Sequence, residues 1–479
     1  MADGTGHTRF RFGPLERRGL VAGWRGGQIA AVAAGLLVGV VILRSRPDLT
    51  GATLALLAVV AGAAAAAWPV AGRTAEEWAP DAARHVAGGV RSRLASRRGD
   101  PFGTLCLLQV ELDGVGGGPP IRAGIVRDGP ARTFTAVVAA RGPGFLLLGP
   151  GDKDRRVGAW AGVLSAMARE GTAVHRVQWV ERSLPDDGAE IRDHLANRRV
   201  LDGDSPAGRS YDELVAGSVP VTYRHQVLLA VTVHAGRSAR AVRAAGGGDR
   251  GAATVLLREV AAFRRRLAEV EVEAGSVLDG PALVAAIRTG FEPGGRLADP
   301  AAPAPAGARW PWPMGSTPGW SRVQVDGTWH VTFWVAEWPR IEVGPDFLGP
   351  LLLLSEVRRT VSVVMEPVGP IRAARQVEQA RTADIADAEL RRRGGFLATA
   401  RRRREEEVLA RRELELADGH AQYRFSGYLT VTADDPETLE DACGRVEQAA
   451  GQAGLEIRRC YGDQLRAFTA GLPLGRGLA

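Results

Sequence analysis

Two runs without a charged side chain, Ile29–Leu43 and Thr50–Val70, constrain this chain more than any other feature. A hydrocarbon core takes about 20 apolar residues as a helix. The second run, which ends in Trp68-Pro69-Val70, meets that length outright. The first is shorter, but Arg25 and Arg44 can snorkel from its ends and Gln28 can lie at the interface. Within lipid only a helix satisfies its own backbone, so helix is the conformation open to both. Neither run carries the amphipathic face of a buried core hairpin, and a second run so close to the first argues against a cleaved signal peptide. The reading is a transmembrane helical hairpin at 28–72, behind a basic arm at 1–27.

Arginine sets the expected orientation. Arg9, Arg11, Arg17, Arg18 and Arg25 precede the first run, and Arg73, Arg84, Arg91, Arg93, Arg97 and Arg98 follow the second. The turn between them holds only Arg44 and Arg46. Positive charge stays on the cytoplasmic side, which predicts two spans in the plasma membrane with both termini cytoplasmic. In the juxtamembrane segment at 73–100, Trp78, Ala82, Val86, Val90 and Leu94 recur every four residues among arginines. That is an apolar stripe with a cationic face, suited to anionic headgroups.

The rest of the 479 residues reads as globular. Strand-like and helix-like patterns alternate from residue 101. TFTAVVAARG, GFLLLGP, HRVQWVERSL and HQVLLAVTVHA read as strands, with an antiparallel hairpin expected at 133–148; Val157–Arg169 and Ala253–Ala268 read as helices. A stretch dense in Pro, Ala, Gly and Trp at 292–319 reads as a linker between a first lobe at 101–291 and a second at 320–479. In the second lobe TWHVTFWVAEW alternates as a strand, GPDFLGPLLLLS opens a helix, and RRTVSVVMEPV and YRFSGYLTVTA are strands. The recurrent strand–helix–strand unit predicts an α+β fold of two ferredoxin-like (split βαβ) cytoplasmic lobes. Residues 371–416 carry twelve arginines and nine acids around Gly394-Gly395, and read as a polar helical hairpin insertion that either projects into solvent or is covered by a partner.

Chemistry is hard to find. No G-x-x-x-x-G-K-[ST], G-x-S-x-G or H-E-x-x-H occurs, and Lys153, the sole lysine, lacks the spacing and the hydroxyl that cradle phosphate and magnesium. Cys106, Cys443 and Cys460 are too widely spaced for a metal knuckle and read as reduced thiols. His225 and His234 flank a strand nine apart and read as strand-end residues. Gly246, Gly248 and Gly251 form G-x-G-x-x-G with Glu271 beyond, but some eleven residues separate them from Val233, whereas a dinucleotide loop leaves its strand directly. No catalytic, cofactor-binding or metal-binding residue is assigned, no cofactor is expected, and the chain reads as not an enzyme.

TRFRFGPLERRGL, the apolar hairpin, HRVQWVERSLPDDG, DGTWHVTFWVAEWPR with RRTVSVVMEPV, and the ending FSGYLTVTA…AFTAGLPLG together resemble an actinobacterial family of two-span membrane proteins from conjugation-like (type IV secretion) loci. In that family the hairpin looks like the small inner-membrane subunit and the soluble part like the N-terminal domain of the conjugative ATPase without its motor. The resemblance implies a non-enzymatic scaffold that docks a separate secretion or conjugation ATPase at the membrane channel beside other channel subunits, with homo-oligomerisation open. The layout and the DGTWH…W strand also resemble the type VII (ESX-like) secretion component with two N-terminal spans, the alternative reading. A second alternative is a membrane-tethered DNA-handling protein. A net charge of +7 is modest, and Arg401–Arg404 are followed at once by three glutamates, so nucleic-acid binding stays undecided.

Overall fold

In a computed structural model of the chain, the described residues are 12, 26–67, 82, 102–112, 120–142, 144–186, 188, 195, 197–198, 205–218, 223–292, 312–394 and 400–477. They fall into two compact units. One comprises Met1–Gly13, Pro101–Arg459 and Gln464–Ala479, and the other Pro14–Asp100 with Cys460–Asp463.

The smaller unit holds α1 (Gly26–Ser45) and α2 (Leu49–Ala67). Asp48 caps α2 by accepting from the backbone N–H of Gly51 at 2.7 Å and from the Thr50 hydroxyl at 2.6 Å. Small residues let the two helices approach closely, and Gln28 Nε2 donates to the Ala66 carbonyl at 2.9 Å. Gly27–Ser45 is long and apolar enough to cross a membrane; the apolar stretch of α2, Leu49–Ala64, is shorter. The arm at 1–27, except Phe12 and the start of α1, and the segment at 73–100, except the helical Ala82, lie outside the described residues.

The larger unit is built on one twelve-stranded sheet in which every pairing is antiparallel. In chain order its elements are β1 (Leu105–Leu112), β2 (Ile121–Asp128), β3 (Thr133–Arg141), α3 (Pro150–Met167), β4 (Val174–Pro185), α4 (Pro206–Ser218), β5 (Tyr223–His234), α5 (Ala239–Ala244), α6 (Gly248–Glu269), β6 (Glu273–Val277) and α7 (Gly280–Arg288). There follow β7 (Ser316–Pro318), β8 (Val323–Val325), β9 (Thr328–Glu337), α8 (Gly349–Leu352), β10 (Arg358–Val368), α9 (Pro370–Gly394), α10 (Ala400–Ala417), β11 (Gln422–Ala433), α11 (Pro436–Gln452), β12 (Glu456–Arg459) and α12 (Gln464–Ala470). Across the sheet the order is β1-β2-β3-β5-β4-β10-β11-β9-β8-β7, with β6 on β3 and β12 on β9. Replacing each of β1–β6 by the strand six later in the chain reverses this order onto itself, so β4 and β10 meet at the middle of a two-fold pattern.

The face carrying α3, α6, α8 and α11 buries Val177, Leu229, Val231, Phe263 and Leu267 in the first half and Val331, Leu429, Leu439 and Val446 in the second. Trp179 packs against both clusters and makes them continuous across the seam. The opposite face packs α7, α12 and the C-terminal tail over Val180, Leu228 and Ala230. Because strands in the middle are covered on both faces, β4 is buried along nearly its whole length. Caps fix two of the covering helices: Asp279 accepts from Ala282 N–H at 2.9 Å, and Asp435 from Thr438 N–H at 2.8 Å, with proline in the first turn of each helix.

Three sequence expectations need correction. GFLLLGP is no strand: Phe145–Leu147 is a single 3₁₀ turn with Leu147 almost fully exposed, because Gly144 and Pro150 leave too little room for a ladder. The expected hairpin at 133–148 is therefore absent, and β3 pairs with β2, β5 and β6 instead. GPDFLGPLLLLS forms only the four-residue α8.

Candidate functional site

The tail-side face of the seam gathers the buried polar groups. Gln178 on β4 is wholly buried. Its Nε2 donates to Ser362 Oγ on β10 and to the carbonyls of Ala470 and Leu472, each at 2.9 Å, while Oε1 accepts from Gly475 N–H at 2.7 Å. One amide thus ties the two halves of the sheet to the tail. Beyond it the tail crosses toward the first half, where the Arg476 guanidinium donates from Nε and Nη2 to the Asp128 carboxylate.

Charges flank this amide. Arg237 Nη1 donates to Glu366 at 2.8 Å and lies 3.1 Å from His175 Nδ1, and His175 meets His234 edge-on at 5.4 Å. Burial, helped by the charge of Arg176, pulls His175 down to about 4, so the ring is neutral near pH 7. Burial raises the Glu366 carboxyl, but the Arg237 hydrogen bond and the adjacent cationic groups outweigh it and hold it below its ordinary value. On the other side, wholly buried Arg182 donates to the Ala286 carbonyl in the last turn of α7, and burial lowers it to about 10. Arg359 donates to the carbonyls of Leu352 and Leu354 around α8. Most of these partners are backbone or side-chain groups of the chain beside the seam, which they hold in one register, while Arg182 Nε and Nη2 and Arg359 Nε are buried without a hydrogen-bond partner.

The Gly246–Gly251 motif has a different use. Gly246 N–H donates to Arg243, Gly247 N–H to Val242 and Gly251 N–H to Gly247, so these amides are spent inside the chain rather than aimed at a phosphate. A Cβ on Gly251 would stand 2.5 Å from the Val242 carbonyl, so the motif makes a tight corner between α5 and α6. A cleft of about 290 Å³ opens there, lined by Arg127, Arg132, Phe134, Arg243 and Asp249, and Asp249 pairs with Arg127 at 3.4 Å. Lys153 joins the halves by pairing with Asp346 at 2.8 Å. His225 and His234 sit at opposite ends of β5, His225 Nδ1 at 2.6 Å from Glu181. Cys443 and Cys460 are buried and Cys106 is exposed, all as free thiols. Among the described residues no three His, Cys, Asp or Glu side chains are grouped to hold a metal.

The helices α9 and α10 lie in the connection between β10 and β11. Ala373, Val377 and Ala380 bury their base, and Arg381 Nη1 donates to both oxygens of Glu413 at 2.7 Å. Ile371, Ile385 and Leu414 are exposed on this largely polar pair.

Residues 221–335 match the model of the family described as "Putative type VII ESX secretion system translocon, EccE". This is about a quarter of the chain, and the likeness is to that family over those residues. It runs from β5 through α6, α7 and β8 into β9, and so takes in the passage from one half of the sheet to the other. No curated protein matches the chain. The match overturns the resemblance to the conjugation-like, type IV family: the matched family is a type VII one, in line with the alternative reading. The DGTWH…W strand that pointed to it, at 326–334, lies inside the matched span. The expected scaffold of a type IV machine is corrected accordingly, and a conjugative ATPase as partner loses its support. What the match supports is a membrane protein of a secretion translocon, with the membrane and channel subunits as partners.

Sequence reading did not find Gln178, Glu366 or Arg182. Each is a polar residue at an inward strand position, and the strand that explains it lies elsewhere in the chain.

Proposed function

We propose that this chain is a non-catalytic membrane subunit of a type VII (ESX-like) secretion assembly. The observation that carries the reading is the match over 221–335, since those residues include β5 and β6 of the first half of the sheet and β7, β8 and most of β9 of the second. The bonds that Glu366, Arg182 and Arg359 make to groups of the chain itself support a non-catalytic role.

The hairpin crosses the membrane twice, with both termini cytoplasmic. Arginine bias favours this, and so does Phe12, which precedes α1 yet packs within the unit that contains the sheet. A chain that leaves that unit for the membrane and returns to it crosses an even number of times, so α2 spans as well as α1. Each half of the sheet is a ferredoxin-like split βαβ unit. The orders β6-β3-β5-β4 and β12-β9-β11-β10, each with helices on the two crossovers, support that assignment. The helical pair α9–α10 is the contact for a channel subunit: its charged rows steer, and Ile385 and Leu414 supply apolar anchors.

Solubilising native membranes in mild detergent tests the proposal. The chain should migrate in a larger assembly together with other membrane subunits encoded beside it. Migration as a lone species at every detergent concentration tried would overturn it.

A further inference from the structure

Phe12 lies among rings it is far from in sequence. It stacks on Trp338 with centroids 5.3 Å apart and planes at 28°, tilts against Phe347 at 5.5 Å and meets Phe425 edge-on at 6.3 Å. The three receptor rings come from separate places in the second half: Trp338 just after β9, Phe347 before α8, and Phe425 on β11. They also brace one another, with Trp338 at 5.3 Å from Phe425 and 6.5 Å from Phe347. Gly427 makes room for this, since a Cβ there would stand 2.9 Å from the Trp338 ring. Phe425 stays 42% exposed with Phe12 in place, so the pocket is open to solvent on one side.

We infer that this aromatic pocket is the docking site of the N-terminal arm, and that Phe12 closes a clasp in cis between the segment entering the membrane helices and the second half of the sheet. The ring geometry is the offset and edge-on kind that aromatic pairs favour. Only thirteen residues separate Phe12 from α1, and the receptor belongs to the same chain, so docking is intramolecular and needs little intrinsic affinity to stay closed. The clasp is independent of the secretion reading, because it rests on contacts within this chain alone.

The test uses the full-length protein in nanodiscs. Limited trypsinolysis reads how often the arm leaves the pocket, through the rate of cleavage at Arg17 and Arg18. Phe12→Ala should raise that rate about tenfold, the scale expected when one ring carries most of a contact and cleavage follows the open population. Phe12→Trp should cleave at the unsubstituted rate. The sheet's own core does not depend on Phe12, so loss of folding cannot mimic the effect. Equal rates for the unsubstituted and Phe12→Ala chains would overturn the clasp. A second arm pairs Phe12→Cys with Phe425→Cys in a Cys106→Ser background and oxidises a mixture of isotopically heavy and light chains. Disulfides within one chain are expected, and disulfides between heavy and light chains would overturn closure in cis.

Discussion

Strand for strand the first half of the sheet, β1–β6, and the second, β7–β12, follow the same order, and each bears a hydroxyl pair at the same crossing: Thr135 with Thr232 at 2.9 Å, and Thr332 with Thr430 at 3.0 Å. They part company in their connections. The first crossover carries the eighteen-residue α3 in one half and the four-residue α8 in the other. The connection from β10 to β11 holds the long helical pair, where that from β4 to β5 holds the thirteen-residue α4 among its described residues. The aromatic pocket also belongs to the second half alone. A shared framework with one-sided additions separates what the fold needs from what distinguishes this subunit. The sheet, seam and tail form the buried core, while the helical pair and the pocket turn outward.

The sharpest way to break the comparison is at the point the halves share. Gln178→Ala removes an amide that serves Ser362, two tail carbonyls and Gly475 N–H at once, leaving buried groups unpaired. It should cost about 3–4 kcal/mol in urea unfolding of the detergent-solubilised chain. Ser362→Ala removes one of those partners and should cost about 1 kcal/mol.

Acid should then probe one position at which the halves differ. His330 on β9 is wholly buried between the Thr328 and Thr432 hydroxyls, whereas the matching place on β3 is Thr133. Burial lowers His330 to about 3 from its ordinary 6.5. The unfolded chain therefore binds the proton first, so this contribution is complete above pH 6.5 and declines as pH falls toward 3. It amounts to a loss of about 2 kcal/mol by pH 5. His175 adds to the same decline. His330→Gln should flatten the acid limb of a denaturant-midpoint against pH plot, and an unchanged slope would remove His330 from the account.

A smaller effect sharpens the likeness. Thr135→Val and Thr332→Val should each cost about 1 kcal/mol, since each strands one buried hydroxyl. Removing both members of a pair should cost less than the two single changes added together. Values that differ widely between the halves would mean the hydroxyl pairs are not equivalent.

How far the sequence announced all this depends on the range of the forces involved. The long alternating runs that became β3, β4, β5, β9, β10 and β11 were legible, because one strand carries its own period. The short β7 and β8 gave too few residues for a period, and three leucines in GFLLLGP have none. The seam was illegible for another reason: Gln178 and Ser362 are 184 residues apart, and nothing local marks either as facing the other. Phe12 likewise gives no sign of Trp338. The type IV resemblance rests on segments spread from the N-terminus to the ending, whereas the family match is confined to 221–335, which holds the DGTWH…W strand.

The central claim is that the outward helical pair, not the shared sheet, joins this chain to its partners. Replacing residues 371–416 with a short Gly-Ser linker tests it directly, by weighing the detergent-solubilised assembly before and after. The account predicts an unfolding midpoint within about 1 kcal/mol of the full chain, because among the described residues of the pair the buried hydrophobic ones, Ala373, Val377 and Ala380, lie at its base. It also predicts that the shortened chain leaves the larger assembly while staying in the membrane. Retention of the whole assembly by the shortened chain would contradict it.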